Sequence, residues 1–468
     1  MLNALSEPIA TYSNCQQRST LVFSQIKKIF SNRKTKNKSS YFIHIPKTAG
    51  TSFINILDAT VNENEIFPCQ LWQDISQDLI SHISEYKLLR GHFGGGSYKL
   101  LAPDNPHKLT ILRHPQALSV STFHFIKREK NTAVHDLVND KKMDLKNFLE
   151  EPLTAHKINN RMVRHLSFDL QQDPEAQELF LSKQSINVVS GWIRAPKKIN
   201  NAKRLIRAKK LLDSCSWFGI QEKFDQSMQL FSYTFNRPPT GKTARLNVHK
   251  PSQQIDNYCI GLINQQNEYD IQLYAYALQQ FKKRYKQMCD ELNQLIPKGC
   301  DESNTDHLLD LNYKKRAHYK LHTDINYSFS QPLLGSGWHR REITLPENSY
   351  FRWTHRDNAF IDFWLEPQDY ILRIRIINAI ATDHLSLLDI QINNTSIDYK
   401  YDQSQGVVKI LTAIIPNNLI ENNLLRVQFN HPPPLNHDEI FSSKDQRNLG
   451  IAVNWIKINP CKIKTSVV

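Results

Sequence analysis

The stretch from residue 41 to residue 57 constrains the fold more than any other part of the chain, because its pattern is that of a strand, a tight loop and a helix. Residues 41–45 form a short apolar run, which is typical of a strand buried in a parallel sheet. Pro46 is expected to end this strand because proline has no N–H group for the ladder. Gly50 allows the backbone to turn where a side chain would obstruct it.

A helix is predicted to follow this loop, capped by Thr51 or Ser52. The apolar face of the helix consists of Phe53, Ile54 and Leu57. The loop therefore directs several backbone N–H groups and a helix N-terminus toward one point, an arrangement that binds anions and most often phosphate. Lys47 adds a mobile positive charge at the mouth of the loop. Further hydroxyl donors come from Thr48, Thr51 and Ser52.

The order of residues in this loop differs from that of the nucleotide-triphosphatase loop, which reads G-x-x-x-x-G-K-[ST]. Here Lys47 precedes Gly50. The tripeptide at 241–243 is Gly-Lys-Thr, but Asn236 stands where that pattern requires a glycine. A kinase or nucleotidase of this class therefore has no motif to support it.

Two further strand ends place polar residues at turns. Residues 86–96 read as a short strand that ends in a flexible, glycine-rich loop, with His92 at the strand end. Residues 108–125 read again as strand, turn and helix, with Arg113 at the strand end and Ser121 on the helix. Such strand ends are where a doubly wound sheet places its chemistry.

The segment from His44 to Ser52 reads His-Ile-Pro-Lys-Thr-Ala-Gly-Thr-Ser. It resembles the phosphosulfate-binding loop of sulfotransferases that use the donor 3′-phosphoadenosine 5′-phosphosulfate (PAPS), in particular the carbohydrate sulfotransferases related to heparan sulfate 2-O-sulfotransferase. The Gly-His pair at 91–92 and the Arg-x-Pro at 113–115, followed by Ser121, resemble further motifs of that family. The resemblance covers about residues 40–290 and implies an α/β, P-loop-like sulfotransferase domain with a central parallel sheet.

The resemblance also implies that PAPS is the co-substrate and that no metal is required. Lys47 would stabilise the bridging oxygen as its bond to sulfur breaks, and His92 would accept the proton of the acceptor hydroxyl. The loop residues expected to bind the donor are Lys47, Thr48, Ala49, Gly50, Thr51 and Ser52, with the N–H groups from Thr48 to Ser52 on the 5′-phosphate. The 3′-phosphate is assigned to Arg113 and Ser121. Weaker donor-binding candidates, in a loop expected to close over the donor, are Arg245, Asn247 and Lys250.

The identity of the general base has alternatives. Three consecutive glycines, at 94–96, follow His92 and are unusual for the family, so the local geometry differs from its pattern. Glu85, before the strand, and His124, on the helix after the second motif, are the other candidates. A lone histidine is otherwise structural or exposed.

Three later segments complete the predicted first domain, 41–300. A helical stretch contains Arg161, Arg164 and His165, where a solvated helix face is favoured over contact with an anionic acceptor. Residues 216–230 read as scaffold. Residues 269–295 have the pattern of a long amphipathic helix.

The sequence changes in character after Cys300. Residues 301–325 are polar and are predicted to form a linker, whereas residues 326–462 contain short β-rich runs separated by turns. Period-two alternation is clear at 372–376, and the asparagines at 393–394 mark a turn. The pattern predicts an all-β, antiparallel sandwich. Through residues 337–342, 351–353 and 445–452 it resembles the jelly-roll-like accessory domains found beside bacterial glycan-modifying enzymes. Four tryptophans are expected in its core rather than on sugar-binding faces: Trp338, Trp353, Trp364 and Trp455.

Charge is distributed unevenly along the 468 residues, which have a formal net charge of +14. Residues 1–40 contain seven Lys or Arg and one Glu, and we expect a basic disordered arm, with weak contact to a membrane surface as the alternative. A basic remainder suits a multiply charged anionic donor and an anionic acceptor. No nucleic-acid recognition module is visible.

The seven cysteines are odd in number and never spaced C-x-x-C. This argues against a disulfide scaffold or a zinc site and favours a reducing compartment. No apolar run approaches the length of a transmembrane helix. Cysteine usage and hydropathy favour a cytoplasmic, bacterial-type protein. The resemblance described above implies that it is an enzyme that transfers a sulfuryl group from PAPS to a hydroxyl, with a carbohydrate as the expected acceptor. The alternatives are a P-loop kinase and a non-catalytic glycan-binding protein.

Overall fold

The computed structural model describes residues 38–102, 105–132, 134–169, 200–241, 255–296, 304–345, 347–402 and 408–461. The chain divides into two compact units. The first comprises the described residues within Met1–Gly50, Asn64–Ser227 and Asn247–Lys286, and the second those within Thr51–Glu63, Met228–Leu246 and Gln287–Val468.

The first unit contains a four-stranded parallel sheet in the order β2-β1-β3-β4. Its strands are β1 (Ser40–Ile43), β2 (Leu88–Gly91), β3 (His107–Leu112) and β4 (Trp217–Ile220). Most of their residues are buried, as expected for strands covered on both faces. Because the strands are parallel, the chain leaves all four at one edge of the sheet. Strand β2 lies on one side of β1 and β3 lies on the other. Such a change in strand order marks the place where α/β sheets bind ligands.

Helices occupy the connections between the strands. In chain order they are α1 (Gly50–Asp58), α2 (Gln77–Ser81), α3 (Tyr98–Leu101), α4 (Pro115–Arg128), α5 (His135–Asp140), α6 (Leu145–Glu150), α7 (Pro152–Ala155), α8 (Arg161–Ser167), α9 (Asn201–Asp213), α10 (Phe224–Thr234), α11 (Asn257–Gln266), α12 (Glu268–Asn293), α13 (Thr305–Lys315), α14 (Asp383–Ser386) and α15 (His437–Phe441). Short 3-10 helices span Glu63–Glu65, Trp72–Asp74, Ile83–Glu85, Gly95–Ser97, Gln221–Lys223 and Asn417–Leu419. The long helix predicted at 269–295 is α12. In the described part of the chain, no helix has the length and apolar character that crossing a membrane requires.

The second unit is built mainly from antiparallel strands. They are β5 (Ile325–Ser328), β6 (Gly335–Ser336), β7 (Glu342–Ile343), β8 (Tyr350–Trp353), β9 (Asn358–Trp364), β10 (Tyr370–Ala379), β11 (Asp389–Ile392), β12 (Thr395–Ser396), β13 (Tyr399–Tyr401), β14 (Lys409–Ile415), β15 (Leu424–Asn430), β16 (Leu435–Asn436), β17 (Asn448–Leu449) and β18 (Ile451–Pro460). A seven-stranded sheet has the order β13-β14-β10-β18-β8-β7, with β5 paired to β18, and a five-stranded sheet has the order β12-β11-β15-β9-β6. Strands β16 and β17 pair with each other. Both larger sheets contribute to one hydrophobic cluster.

The alternation read from the sequence at 372–376 is confirmed on β10. The apolar residues Leu372, Ile374 and Ile376 are buried, whereas Arg373 is exposed between them. Asn393 and Asn394 join β11 to β12 with φ angles of 48° and 69°, as a two-residue hairpin turn requires. Three of the four tryptophans expected in the core are buried, namely Trp338, Trp353 and Trp364, while Trp455 is half-buried.

The predicted linker 301–325 contains the helix α13, so the expectation of a linker along this whole stretch is wrong. Leu308, Leu309 and Tyr313 of α13 are buried. The remaining residues of α13 are mostly polar, so in the sequence the stretch looks like a linker. Asp310, for instance, is held by Arg426 of β15 at 2.7 Å, a contact across 116 positions.

The boundary between the units also differs from the predicted boundary near residue 300, because Thr51–Glu63 belongs to the second unit. Arg341 gives the physical reason. Its guanidinium donates to the carbonyl oxygens of Asp58 and of Val61, the latter at 3.0 Å, and pairs with the Glu63 carboxylate at 2.9 Å. Contacts between residues this far apart in the chain leave no periodic signal in the sequence.

Candidate functional site

The loop after β1, residues 44–49, leaves the sheet at its carboxyl edge. Lys47 and Ala49 have positive φ angles of 72° and 68°, which are rare for residues with a side chain and concentrate at functional sites. A backbone that alternates in this way can turn successive N–H groups inward, as anion-binding nests do. The Thr48 hydroxyl is buried and donates to the Ile45 carbonyl at 2.8 Å. It therefore braces the loop, and the expectation that this hydroxyl faces a ligand is wrong.

Helix α1 begins at Gly50, so Thr51 and Ser52 lie within its first turn and do not precede it as predicted. Thr51 is exposed and Ser52 is half-buried, which leaves both side chains accessible near the helix start. The predicted apolar face is confirmed, since Phe53, Ile54 and Leu57 are buried.

Gly50 is required by the ring of His44. A Cβ atom added to Gly50 would lie 2.1 Å from both Cδ2 and Nε2 of His44. Gly50 is not among the residues with positive φ. The position therefore needs glycine because two groups approach closely, not because the backbone is left-handed.

We expect Gly50→Ala to destabilise the protein by about 1–3 kcal/mol, because the new methyl group overpacks the site against His44. Gly261→Ala is the matched control. Gly261 lies at an exposed position of α11, and an added Cβ meets nothing within 4 Å. This substitution should stabilise the protein by about 0.5–1 kcal/mol, since alanine favours the helix. Chemical denaturation measures both changes, and a harmless Gly50→Ala would contradict the packing argument.

Lys47 lies among other cations at the mouth of the loop. Its Nζ is 4.2 Å from the centroid of the Phe125 ring on α4. Partial burial, followed by the positive charges of Arg128, Arg113 and Arg161, lowers the pKa of Lys47 from its ordinary value. These cations come from the loop, the end of β3, the end of α4 and the start of α8. Their mutual repulsion would be relieved by a bound anion.

Arg113, the first residue after β3, is tied to the loop. Its Nη1 donates to the carbonyl oxygen of Lys47 at 2.9 Å. Ser121 is half-buried on α4, and its hydroxyl has no hydrogen-bond partner among the residues described. By contrast, Ser119 and Thr122 donate to carbonyl oxygens of the preceding turn of α4. The Ser121 hydroxyl is therefore available to a ligand.

Glu222 fixes the turn between β3 and α4. Its Oε1 accepts the N–H of His114 at 2.8 Å, and its Oε2 accepts the hydroxyl of Tyr274 at 3.0 Å. Burial and the neighbouring carboxylate raise the pKa of Tyr274, so the tyrosine stays a donor. These contacts agree with the prediction that residues 216–230 act as scaffold, since they hold the segment that carries Arg113.

His92 is held in a defined tautomer. The register pairs Ile43 of β1 with Gly91 of β2, which places His44 and His92 side by side beyond the strand ends. His92 Nδ1 donates to the His44 carbonyl oxygen at 2.7 Å. Because a carbonyl only accepts, Nε2 is left as the acceptor of a neutral imidazole. Burial, reinforced by the charge of Arg161, lowers the pKa of His92 to about 4.

The glycines at 94–96 are packed, and the expectation of a flexible loop here is wrong. A Cβ atom on Gly94 would lie 2.2 Å from the Phe168 ring, and one on Gly95 would lie 2.2 Å from the Leu166 carbonyl oxygen. The Tyr41 hydroxyl donates to the Gly94 carbonyl at 2.8 Å. The glycines therefore allow α8 to approach closely, and they do not displace His92.

Helix α8 is not a solvated helix, which corrects the favoured prediction for this stretch. Arg164 and His165 are buried, and Arg161 is half-buried with its Nη1 donating to the Thr122 hydroxyl at 2.9 Å. Burial lowers the pKa of Arg161 to about 10 and lowers the pKa of His165 well below its ordinary value.

Asp270 explains why this polar stretch is buried. Its two carboxylate oxygens accept the N–H groups of Met162 and Val163 at 2.9 and 2.8 Å. Burial raises the pKa of Asp270 to about 6. The cap comes from more than a hundred positions away, so inspection of residues 159–165 alone could not reveal it.

The remaining predicted residues are placed as follows. Glu85 lies in the 3-10 helix before β2, at the amino edge of the sheet, and its Oε1 is 2.9 Å from His82 Nδ1. It cannot serve at the carboxyl edge. His124 is exposed on α4 beside Phe123. Arg245, Asn247 and Lys250 lie outside the described residues, as does most of the basic arm.

Two signals in the sequence pointed to residues that were not proposed for the site. The i, i+4, i+7 spacing of Ser121, Phe125 and Arg128 places them on one face of α4, which is the face that meets Lys47. His44 stands one position after β1, as His92 stands after β2. Within the described ranges, no group of three His, Cys, Asp or Glu side chains is arranged to hold a metal ion.

Comparisons with known proteins add little. No protein-family model and no curated protein matches the sequence. One solved structure with some similarity is a family GH115 4-O-methyl-alpha-glucuronidase with specificity for decorated arabinogalactans, at 9% identity and a TM-score of 0.18, over 74% of this chain and 42% of that one. This chain thus spans less than half the length of that protein. A similarity of this size supports no conclusion about fold or function.

Proposed function

We propose that this protein transfers a sulfuryl group from PAPS to a hydroxyl group, with a carbohydrate as the acceptor. One observation supports this above the others. Loops after three adjacent parallel strands bring Lys47, His92 and Arg113 to the same edge of the sheet. This edge is the ligand-binding edge of α/β sheets, and its excess of positive charge suits a multiply anionic donor.

The donor-binding residues of this proposal are those that the resemblance implies, and the contacts of the loop support them. Backbone N–H groups of the loop from Thr48 to Ser52, at the start of α1, receive the 5′-phosphate. Arg113 and Ser121 receive the 3′-phosphate. One Arg113 nitrogen is occupied by the Lys47 carbonyl, but a guanidinium has five donors and its Nη2 remains for a phosphate. The proposal needs no metal ion, because basic side chains and backbone N–H groups meet the charge of the donor.

In the proposed reaction, His92 Nε2 accepts the proton of the acceptor hydroxyl. The acceptor oxygen forms a bond to sulfur while the bond from sulfur to the bridging oxygen breaks. The electron pair of that bond stays on the bridging oxygen of the departing adenosine 3′,5′-bisphosphate. Lys47 stabilises the charge that develops there, in a loose in-line displacement of the kind known for phosphoryl transfer. The neutral, Nδ1-protonated state of His92 is the state that a general base requires.

The same proposal treats the first unit as a P-loop-like sulfotransferase fold and the second as a jelly-roll-like sandwich. Support for the sandwich comes from a large hydrophobic cluster to which both antiparallel sheets contribute. Trp338, Trp353 and Trp364 are buried in this unit. Glycan binding through these three rings therefore has no support, which weakens the alternative of a non-catalytic glycan-binding protein.

A transfer assay tests the proposal. The full chain is incubated with PAPS carrying labelled sulfur and with a panel of polysaccharides, and label in the polymer is compared with adenosine 3′,5′-bisphosphate released. We expect equal amounts of both with at least one acceptor. Phosphate transfer from ATP with magnesium would instead favour the kinase. A folded protein that handles neither donor would overturn the proposal.

Arg113→Ala should reduce selectivity for the 3′-phosphate. A charge-assisted contact contributes about 1.5–3 kcal/mol, so affinity for adenosine 3′,5′-bisphosphate should fall roughly 10- to 150-fold. Affinity for AMP should fall less, since only the brace on Lys47 is lost. Calorimetric titration measures both, with Arg373→Ala on the exposed face of β10 as the control. If both nucleotides weaken by the same factor, Arg113 serves the loop alone.

A further inference from the structure

The ring of His44 is the middle member of a stack of three rings. Residues two apart in extended backbone face the same side, and the rings of Phe42, on β1, and His44, one residue beyond β1, stack on each other. Their centroids are 5.5 Å apart with planes inclined by 18°. The His92 ring follows at 4.3 Å from His44, inclined by 28°.

His44 also contacts the start of α1 and the end of β2. Its ring occupies the space that any side chain at position 50 would need. Its N–H donates to the Gly91 carbonyl at 3.1 Å, and its carbonyl accepts His92 Nδ1 at 2.7 Å. The buried Nδ1 of His44 has no hydrogen-bond partner among the residues described. Among the described residues, no hydrogen bond to Nδ1 orients the ring, so its contacts with its neighbours are contacts of shape.

We propose that His44 is a positioning residue whose ring fixes the plane of His92, so that Nδ1 stays on the His44 carbonyl and Nε2 stays free to accept a proton. This inference rests on the proposed function, in which His92 is the base. His44 itself touches neither donor nor acceptor in the reaction. His44 contacts both Gly50 of the donor loop and His92, so it connects the donor loop to the base.

Loss of the His44 ring would remove the support on one face of His92. The imidazole could then rotate away from the carbonyl, and water would reach it. Among the described residues, the other ionisable groups that act on His92 are Arg161 and His165, both on α8. A substitution at His44 leaves both side chains unsubstituted, so we read a change in the titration of His92 as a report on the ring of His44.

Nitrogen NMR of the full chain with labelled histidine tests this directly. The His92 signals are assigned by their loss in His92→Gln. In the unsubstituted protein we expect Nδ1 to carry the proton and the ring to titrate well below pH 6. In His44→Ala the midpoint should rise by about one pH unit or more toward the ordinary value near 6.5, and both tautomers should appear. His44→Phe, which keeps a stacking ring, should leave the His92 signals close to those of the unsubstituted protein.

His107→Ala is the control, because His107 is half-buried at the amino edge of the same sheet. It should not change the His92 signals. Unchanged signals in His44→Ala, or equal changes in His44→Ala and His44→Phe, would overturn the role of His44. If His44→Ala does not fold, His44→Leu is compared with His44→Phe under the same criterion. Failure of the proposed function would appear separately, as an unsubstituted protein that does not bind adenosine 3′,5′-bisphosphate.

Discussion

Lys47→Ala is expected to lower turnover by at least ~100-fold, the scale for removing one electrostatic stabiliser of a transition state. The physical reason is the position of the amine at the mouth of the loop, among Arg113, Arg128 and Arg161. Because those cations remain, binding of adenosine 3′,5′-bisphosphate should weaken by no more than about tenfold. Initial rates of transfer and calorimetric titration measure the two effects.

Lys127→Ala is the matched control for this loss of charge. Lys127 lies on the same helix as Phe125 but is exposed, with its amine 5.6 Å from the Phe123 ring. Its removal should change turnover by less than about threefold, since it is a solvated charge. Near-normal turnover in Lys47→Ala would remove Lys47 from the chemistry, whatever the donor.

His92→Ala should lower turnover by about 10²- to 10⁴-fold, the range for loss of a general base. Donor binding should survive, because none of the donor contacts assigned above involves His92. His165→Ala tests whether any buried histidine of this region has the same effect. His165 is buried in α8. His165→Ala should therefore lower the free energy of unfolding, while turnover per folded molecule should stay close to that of the unsubstituted protein.

The pH profile follows from the same residue. The pKa of His92 is lowered to about 4, so the neutral, proton-accepting form predominates above that pH. Activity should therefore rise through pH ~4–5 and be level near neutrality, instead of rising near the ordinary histidine value of about 6.5. At high pH, activity should fall as Lys47 loses its proton, and its lowered pKa places that fall below the ordinary lysine value. An acidic limb that persists in His92→Ala would assign it to another group.

Local patterns predicted most of the parallel sheet and its loops. The short apolar run of β1, the proline after it and the apolar face of α1 are features of neighbouring residues, and so are the strand ends before His92 and Arg113. The alternation on β10 and the Asn393-Asn394 turn are equally local. Each of these is set by backbone sterics and by burial of one face.

Most of the wrong predictions came from contacts between residues that are distant in the chain. Asp270 caps α8 and buries a stretch that reads as solvated, and Arg341 draws the end of α1 into the second unit. The glycines at 94–96 look flexible in the sequence, but α8 and the residues that follow it pack so closely against them that a side chain has no room. The Thr48 hydroxyl looks like a ligand donor, but the turn of the loop directs it to the Ile45 carbonyl. The partners of Asp270 and Arg341 lie more than a hundred positions away, so no local pattern reports them.

The most direct test of the sulfotransferase assignment is a calorimetric titration of the full chain with adenosine 3′,5′-bisphosphate and, separately, with ATP and magnesium. The assignment predicts that the bisphosphate binds at least roughly tenfold more tightly than ATP, a difference of about 1.4 kcal/mol, and that magnesium does not change its affinity. Tighter binding of ATP with magnesium, or no binding of the bisphosphate by folded protein, would contradict it.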